Sequence, residues 1–389
     1  PYCADYYQLG SNEVSYVFPF NLVLQKGVSK GYSTVTQINI DNRGRIKKST
    51  QKNRLAGSLI SILNYCSLIT GLFLIKTKYR ISNEFLTWIN GFDPDIIYAT
   101  VEDINRIAYI IDIKKLLGKK LVIHIMDDWI HTLNSCTIFP KYWSTRLTRT
   151  FAKLLKYSDL NLAISEKMAK EYQSKYKKTF YPFHNPINLS HYSNNSKQSV
   201  KDSTFVFVYA GKINEDTIIP IRDFALMIKS LKNVFDVSFR IYTTSSVELL
   251  YNYLGDDFEH LYFGSIPYEE IPGLLSSADG LLLPLSFNEK SIRYTRLSMP
   301  TKVTEYMASK TPIFLYAPYE LAVTEYLKKN GCAYIVSNKN DLKESIEEFI
   351  SRDNLRQEIA HNAYNVVCDS HDIASINKRL HELLFNLNI

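Results

Sequence analysis

Two doubly wound α/β sheets, each in its own domain, are what the sequence predicts, and three observations carry the prediction. Short apolar runs alternate with amphipathic stretches through both halves of the 389-residue chain. The strongest runs, "FVFVYAG" at 205–211 and "GLLLPL" at 280–285, are continuously apolar, as strands covered on both faces are. Between the halves lies "NLSHYSNNSKQSVKDS" at 188–203, polar, Ser/Asn-rich and without an apolar period, which reads as a linker. Domains over 1–187 and 204–368 are therefore expected, with the two parallel sheets facing each other across a cleft.

Each element follows from local pattern. In "FDPDIIYATVEDINRIAYIIDIKKLLGKKLVIHIMDDW" (92–129), residues 96–99 form a strand, 103–117 a helix stopped by Gly118, and 121–125 the next strand. A basic amphipathic helix at 144–157, a strand at 160–165 and a helix at 166–176 follow. The second half gives strands at 205–211, 238–244, 261–265, 280–285, 312–317 and 333–336. Helices at 220–233, 246–254, 268–277, 300–309 and 319–329 alternate with them, and a last pair of helices closes the chain. Ligands of such sheets sit at the carboxyl ends of the strands, so polar clusters at those ends are the candidates for function.

Bulk composition narrows the class. With 46% hydrophobic residues the chain can fill two ordinary cores. Lys plus Arg outnumber Asp plus Glu by 46 to 39, a surplus spread along the chain, which is a mild preference for anionic partners and no nucleic-acid signature. Five distant cysteines, Cys3, Cys66, Cys136, Cys332 and Cys368, lack zinc or disulfide spacing and fit a reducing cytoplasm. In "LAGSLISILNYCSLITGLFLI" (55–75) polar residues recur every third position, so a buried helix is expected rather than a membrane span. No signal peptide is read, and a chain that begins at Pro1 without Met is expected to have a processed or missing start. Short-period repeats and low-complexity tracts are absent, which excludes solenoids and propellers.

Three strand ends carry chemistry. "SMPTKVTEYMASKTPIFLYAP" (298–318) opens with Ser298 as an N-cap and Pro300 in the first turn, leaving the N–H groups of Met299, Thr301 and Lys302 free to meet an anion. Lys302 adds a full charge, and Glu305, one turn on, could accept hydrogen bonds from the two hydroxyls of a ribose. Lys302 and Glu305 could equally be a surface ion pair on a capped helix, and the helix alone leaves both readings open. In "YAGKINEDTIIPIRDF", Gly211 permits close approach at a strand end and Arg222 could fork onto a diphosphate; Lys212 reads better as a loop lysine in water. Neither GxGxxG nor GxxxxGK[ST] is present. "VIHIMDDWIH" gathers His124, Asp127, Asp128, Trp129 and His131, where carboxylates and imidazoles could position a hydroxyl or take its proton. A histidine inside the sheet, an aspartate capping the next helix and a metal site are the alternatives, the metal site being the weakest.

These residues resemble the sugar-nucleotide-dependent glycosyltransferases of GT-B architecture, in particular bacterial members of the retaining family four that build surface polysaccharides. "FDPDIIYA", "HIMDDW", "HNPIN", "FVFVYAGKI", "GSIPYEEIPGLLSSADGLLLPL" and above all "SMPTKVTEYMASKTPIFL" carry the resemblance over most of the chain. It implies two Rossmann-like domains, an acceptor-side domain before the linker and a nucleotide-sugar domain after it, with a helix at 369–389 crossing back to the first. It places Glu305 on the ribose, the Ser298–Lys302 turn on the diphosphate, Arg222 on the phosphates, and Ser265 and Ile266 beside the base. Asp127 and Asp128 would face the acceptor and the transferring sugar. The family's second glutamate, eight residues before the ribose-binding one, is Leu297 here, with Glu289 a substitute from the same loop. The amino-terminal glycine-rich loop of the family is reduced to Gly10.

The resemblance thus implies a glycosyltransferase without cofactor or metal, moving a sugar from a nucleotide-diphosphate donor to a glycan or lipid-linked acceptor in surface polysaccharide synthesis. An inverting path would use Asp127 or Asp128 as base. Arg146, Arg149, Lys153 and Lys156 recur at helical spacing in 144–159, a face that could rest on anionic lipid or, as is commoner, meet water; a cytoplasmic protein is expected, with peripheral attachment to the inner face of a membrane left open. A nucleotide-sugar epimerase and a catalytically silent binding subunit are the other readings.

Overall fold

The computed structural model describes residues 5–10, 13–17, 20, 31–34, 54–101, 103–132, 137–192, 204–255 and 258–387. Most of the expected linker, residues 193–203, lies outside them, as do Cys3 and Cys136. Two compact units are present, one of Pro1–Ile125, Trp129–Asn161 and Ile389, the other of Met126–Asp128 and Leu162–Asn388.

The chain opens with β1 (Asp5–Gln8), β2 (Val14–Tyr16) and β3 (Gly31–Thr34), then α1 (Arg54–Thr70), β4 (Thr77–Tyr79) and α2 (Asn83–Phe92). A parallel region follows: β5 (Ile96–Thr100), α3 (Ile104–Leu117), β6 (Lys120–Ile125), α4 (Trp129–Thr132), α5 (Pro140–Tyr157), β7 (Leu160–Ala163), α6 (Glu166–Tyr176) and β8 (Tyr181–Pro182). Its strands lie in the order β5-β6-β7-β8. Asp103 caps α3 by accepting from Arg106 N at 2.7 Å, and Gly118 ends it at φ 66°, a conformation that costs glycine little. Ser165 caps α6 in the same way, accepting from Met168 N at 3.1 Å.

The second parallel region runs β9 (Phe205–Ala210), α7 (Ile218–Leu231), β10 (Val237–Tyr242), α8 (Val247–Leu254), α9 (Phe258–Leu261), α10 (Ile271–Ser277), β11 (Gly280–Pro284) and α11 (Glu289–Thr295). It ends with α12 (Lys302–Ala308), β12 (Ile313–Tyr316), α13 (Ala322–Lys329), β13 (Tyr334–Val336), α14 (Leu342–Ser351), α15 (Asp353–Ser370) and α16 (Ile373–Phe385). The strand order is β10-β9-β11-β12-β13, every pair parallel, with Phe207 opposite Phe239 and Leu281 opposite both Val208 and Ile313. Every residue of β11 is buried, as its central place requires. Phe207, Phe224, Phe314 and Phe349 are fully buried and pack edge to face, apart from the stacked Phe207–Phe349 pair, the Phe207–Phe224 centroids 5.1 Å apart.

Several expectations change. The strand expected at 261–265 does not form: α9 occupies its start, and only an isolated bridge joins Tyr262 to Ile241. Three helices close the chain rather than a pair, because Arg352 leaves helical geometry at φ −105°, ψ 82° between α14 and α15. The pattern reading also missed α11. The buried helix expected at 55–75 is corrected most. Among 61–70 only Ser67 is buried, while Ile62, Tyr65 and Leu68 face solvent. Among the described residues no helix is long and apolar enough to cross a membrane.

Gly280 explains one tight point of the core. A Cβ there would stand 2.8 Å from Phe207 Cε1 and 2.9 Å from Phe349 Cε1, closer than van der Waals contact allows. Gly280→Ala is therefore expected to destabilise the protein by about 1–3 kcal/mol through overpacking, read as a lower midpoint in urea denaturation. An unchanged midpoint would show that the aromatic cluster yields freely.

Candidate functional site

The site is built at the carboxyl end of β9. Tyr209, fully buried, donates its hydroxyl to Lys212 O at 2.8 Å and fixes the turn that follows the strand. Gly211 comes next at φ 141°, and a Cβ there would meet Lys302 Cε at 2.2 Å and Nζ at 2.5 Å. Glycine is needed for two reasons at once, the positive φ and the side chain that crosses it. What approaches Gly211 closely is thus Lys302, reaching over from the first residue of α12.

Lys302 Nζ lies 4.1 Å from the centre of the Tyr209 ring and donates to the Tyr209 hydroxyl. Among the described residues no carboxylate stands within ion-pair distance of it. Burial is the largest influence on the ammonium and pulls its pKa down to about 8, with the Glu305 charge acting the other way. Burial likewise raises the Glu305 carboxyl above its ordinary value, against the pull of Lys302. From the next turn of α12, Tyr306 accepts from Ala210 N at 3.1 Å, so one helix holds the last two residues of β9.

The polar stretch before α12 departs from its expected role. Ser298 does not cap the helix: α12 begins at Lys302, with Thr301 in the cap position making no side-chain cap bond. Ser298 Oγ donates instead to Asp127 Oδ1 at 2.8 Å. Two neighbours hold the same segment, Ser165 Oγ donating to Leu297 O at 2.7 Å and Asn185 Nδ2 to Met299 O at 3.2 Å. Arg296 anchors its start through a two-pronged ion pair with Glu171, NH2 to Oε2 at 2.7 Å. Leu297 is fully buried and Met299 nearly so, while Ser298 and Pro300 are half-buried and Thr301 is exposed. Among the described residues no acceptor takes the N–H of Met299 or of Thr301.

The other candidates separate by setting. Arg222, in the second turn of α7, is half-buried, and its Nε is buried with no acceptor among the described residues. Lys212 is exposed, in a loop that Ser245 clamps by accepting from Ile213 N and donating to Ile213 O. Ser265 is exposed and Ile266 half-buried, in the loop where Gly264 O accepts from Thr243 N at 2.9 Å. Asp127 is half-buried. Asp128 is 2% exposed and accepts from the Tyr172 hydroxyl at 2.7 Å. His124 is buried within β6, its Nδ1 2.5 Å from the Tyr98 hydroxyl. Glu289 projects from the first turn of α11 into solvent and pairs with Arg293. Among the described residues no group of three or more His, Cys, Asp or Glu could hold a metal ion.

Pattern reading missed the residues that act through contact. Tyr209 lay unmarked inside a strand, and Ser165 and Asn185 bond to backbone atoms more than a hundred positions away. Tyr192, nearly buried, was counted with the linker; burial raises its pKa, and the charges of Glu305 and Tyr268 add to the effect, which sets the three near one another.

Comparison with known proteins bears on the fold. Residues 250–366, which include α12, match the family Glycosyl transferases group 1. No curated protein matches the chain. Among solved structures, Anabaena HepE in complex with UDP-glucose is similar, with 14% identity, a TM-score of 0.56, and coverage of 77% of this chain and 81% of that one. Sucrose-phosphate synthase from Thermosynechococcus elongatus gives 13% identity and a TM-score of 0.57, covering 79% and 80%. WaaG, a glycosyltransferase involved in lipopolysaccharide biosynthesis, gives 11% and 0.50, covering 78% and 96%. At these identities the likeness is one of fold, the two-sheet GT-B architecture.

The buried ammonium has a consequence for pH. Its folded pKa of about 8 lies below the ordinary 10.5, so between those values the unfolded chain holds a proton that the folded chain lacks. Stability conferred by this position therefore rises with pH across that window. Relative to Lys302→Met, the wild type is expected to gain about 1–3 kcal/mol between pH 7 and pH 10.5, measured by denaturant unfolding of both proteins. Parallel profiles would mean that the ammonium titrates as if in water.

Proposed function

We propose that the chain is a nucleotide-sugar-dependent glycosyltransferase, transferring a sugar from a nucleoside-diphosphate donor to a glycan or lipid-linked saccharide acceptor. One observation carries the reading. Lys302, with no carboxylate at ion-pair distance among the described residues, is held across Gly211 at a strand end, where a doubly wound sheet binds its ligand. Arg222, with its unmet Nε, and the N–H groups of Met299 and Thr301 add donors for the same diphosphate. Glu305, one turn beyond Lys302, takes the ribose hydroxyls, with Tyr192 beside it; Ser265 and Ile266 border the base, and Lys212 lies at the rim. The match of residues 250–366 to Glycosyl transferases group 1 supports the assignment.

Catalysis in this reading is electrostatic. As the bond between the anomeric carbon and the phosphate oxygen breaks, negative charge grows on the departing diphosphate, and Lys302 and Arg222 stabilise it there more than in the ground state. The acceptor hydroxyl attacks the anomeric carbon from the face the diphosphate leaves, and its proton passes to the leaving phosphate oxygen. Configuration is then retained, and no metal takes part. Asp127 faces the acceptor, fixed by Ser298; Asp128, tied to Tyr172, sets the local field, and His124 supports the strand end. With Leu297 buried, the donor sugar is held by other groups than the family's second glutamate. A role in surface polysaccharide synthesis, at the cytoplasmic side of a membrane, fits this chemistry.

The test is release of nucleoside diphosphate from nucleotide sugars with and without saccharide acceptors. Acceptor-stimulated release is expected, falling roughly 10- to 100-fold in Lys302→Ala as one charged hydrogen bond is lost. An unchanged rate in that variant removes Lys302 from the diphosphate. Conversion of the donor sugar without release would make the protein an epimerase. No turnover under any condition would favour the silent binding subunit.

A further inference from the structure

The first unit carries a helix with an exposed apolar row. On α1, Ile62, Tyr65 and Leu68 recur at three-residue spacing along one face and are exposed, Tyr65 by 67%, whereas the residue turned inward is Ser67, whose buried Oγ has no partner among the described residues. A helix of a water-soluble domain ordinarily turns such a row to the core. The row continues onto a second element, because Ile69 O accepts from Ile138 N at 2.8 Å and Thr70 O from Trp143 Nε1 at 2.7 Å. Ile138, Phe139 and Tyr142 stand exposed there, by 60%, 54% and 56%. Three exposed large side chains on α1 and three at the start of α5 thus stand on elements tied together by these two bonds, a concentration that solvated surfaces rarely keep without use.

Charge says what covers this face. Neither 54–76 nor 140–157 contains a single Asp or Glu. Along α5 the apolar cluster passes into Lys141, Arg146, Arg149, Lys153 and Lys156, and none of these forms an ion pair among the described residues. Arg146 reaches back, bonding the Tyr142 hydroxyl at 2.9 Å and lying over the Trp143 ring, so the basic row and the aromatic cluster form one surface. Aliphatic and tyrosine side chains flanked by unpaired cations, with no anion among them, complement a bilayer whose surface is anionic and whose interior is apolar.

We infer that this face of the first unit docks on an anionic lipid bilayer, with Ile62, Tyr65, Leu68, Ile138, Phe139 and Tyr142 entering the headgroup layer and the basic row of α5 resting on lipid phosphates. The inference does not depend on the donor site, since it uses none of its residues.

Flotation of the full chain with vesicles tests it. Binding to equimolar phosphatidylcholine and phosphatidylglycerol is expected, weakening in high salt, with little binding to phosphatidylcholine alone. Lys141→Gln with Arg149→Gln and Lys153→Gln is expected to lower partitioning roughly 100-fold. Tyr65→Ser with Ile138→Ser, at positions exposed enough to leave the fold intact, is expected to lower it at least about tenfold. Wild-type partitioning in either variant, or equal binding to both vesicle types, would overturn the inference. So would a dimer in solution that the apolar pair abolishes, for that would give the face to a second copy of the chain.

Discussion

The side chain of Lys302 has a place to lie only because residue 211 has no Cβ. That single crossing sets the local architecture: the chain leaves β9 at a positive φ, Tyr209 turns its ring under the ammonium, and the Tyr209 hydroxyl fixes the Lys212 carbonyl. Lys302 is half-buried and has no carboxylate at ion-pair distance among the described residues, and a cation that loses hydration without a partner costs stability. Keeping it here is intelligible if an anion arrives. The cost of burial is then the source of binding, because a dry, preorganised ammonium acts on a phosphate far more strongly than one dissolved in water.

Holding the crossing in place falls to the segment before α12. Four links from distant parts of the chain converge on four consecutive residues: Glu171 on Arg296, Ser165 on Leu297, Asp127 on Ser298 and Asn185 on Met299. Two of the four are made to carbonyls, and among the described residues the N–H groups of Met299 and Thr301 have no acceptor. Such an arrangement spends its rigidity on presenting donors rather than on pairing them. The seven-residue α12 contributes the two side chains, Lys302 and Glu305, on successive turns of the same face.

The sheets were legible because their signals are local. Continuous apolar runs at β9 and β11, the Asp103 and Gly118 stops of α3, and the Ser165 cap of α6 each declare themselves within a few residues. Lys302 and Glu305 were legible for the same reason, since their helical spacing and the preceding proline stand together in sequence. What stayed hidden depends on distance. Ser298 reads as an N-cap from its neighbours alone, and only its contact with Asp127, 171 positions away, shows otherwise. The residues at 261–265 have strand composition, yet Tyr262 makes only an isolated bridge, so local propensity lost to tertiary placement. In α1 the period was read correctly, but periodicity does not say which face is turned to the core.

Calorimetric titration with UDP, GDP, ADP and CDP near pH 8, in two buffers of different ionisation enthalpy, tests the central claim most directly. If Lys302 is the cation that meets the diphosphate, binding raises its pKa from about 8 and the complex takes up a proton. A fractional proton uptake with one nucleotide, lost together with affinity in Lys302→Met, is the predicted result. Binding with no proton uptake and with undiminished affinity in that variant would contradict the account.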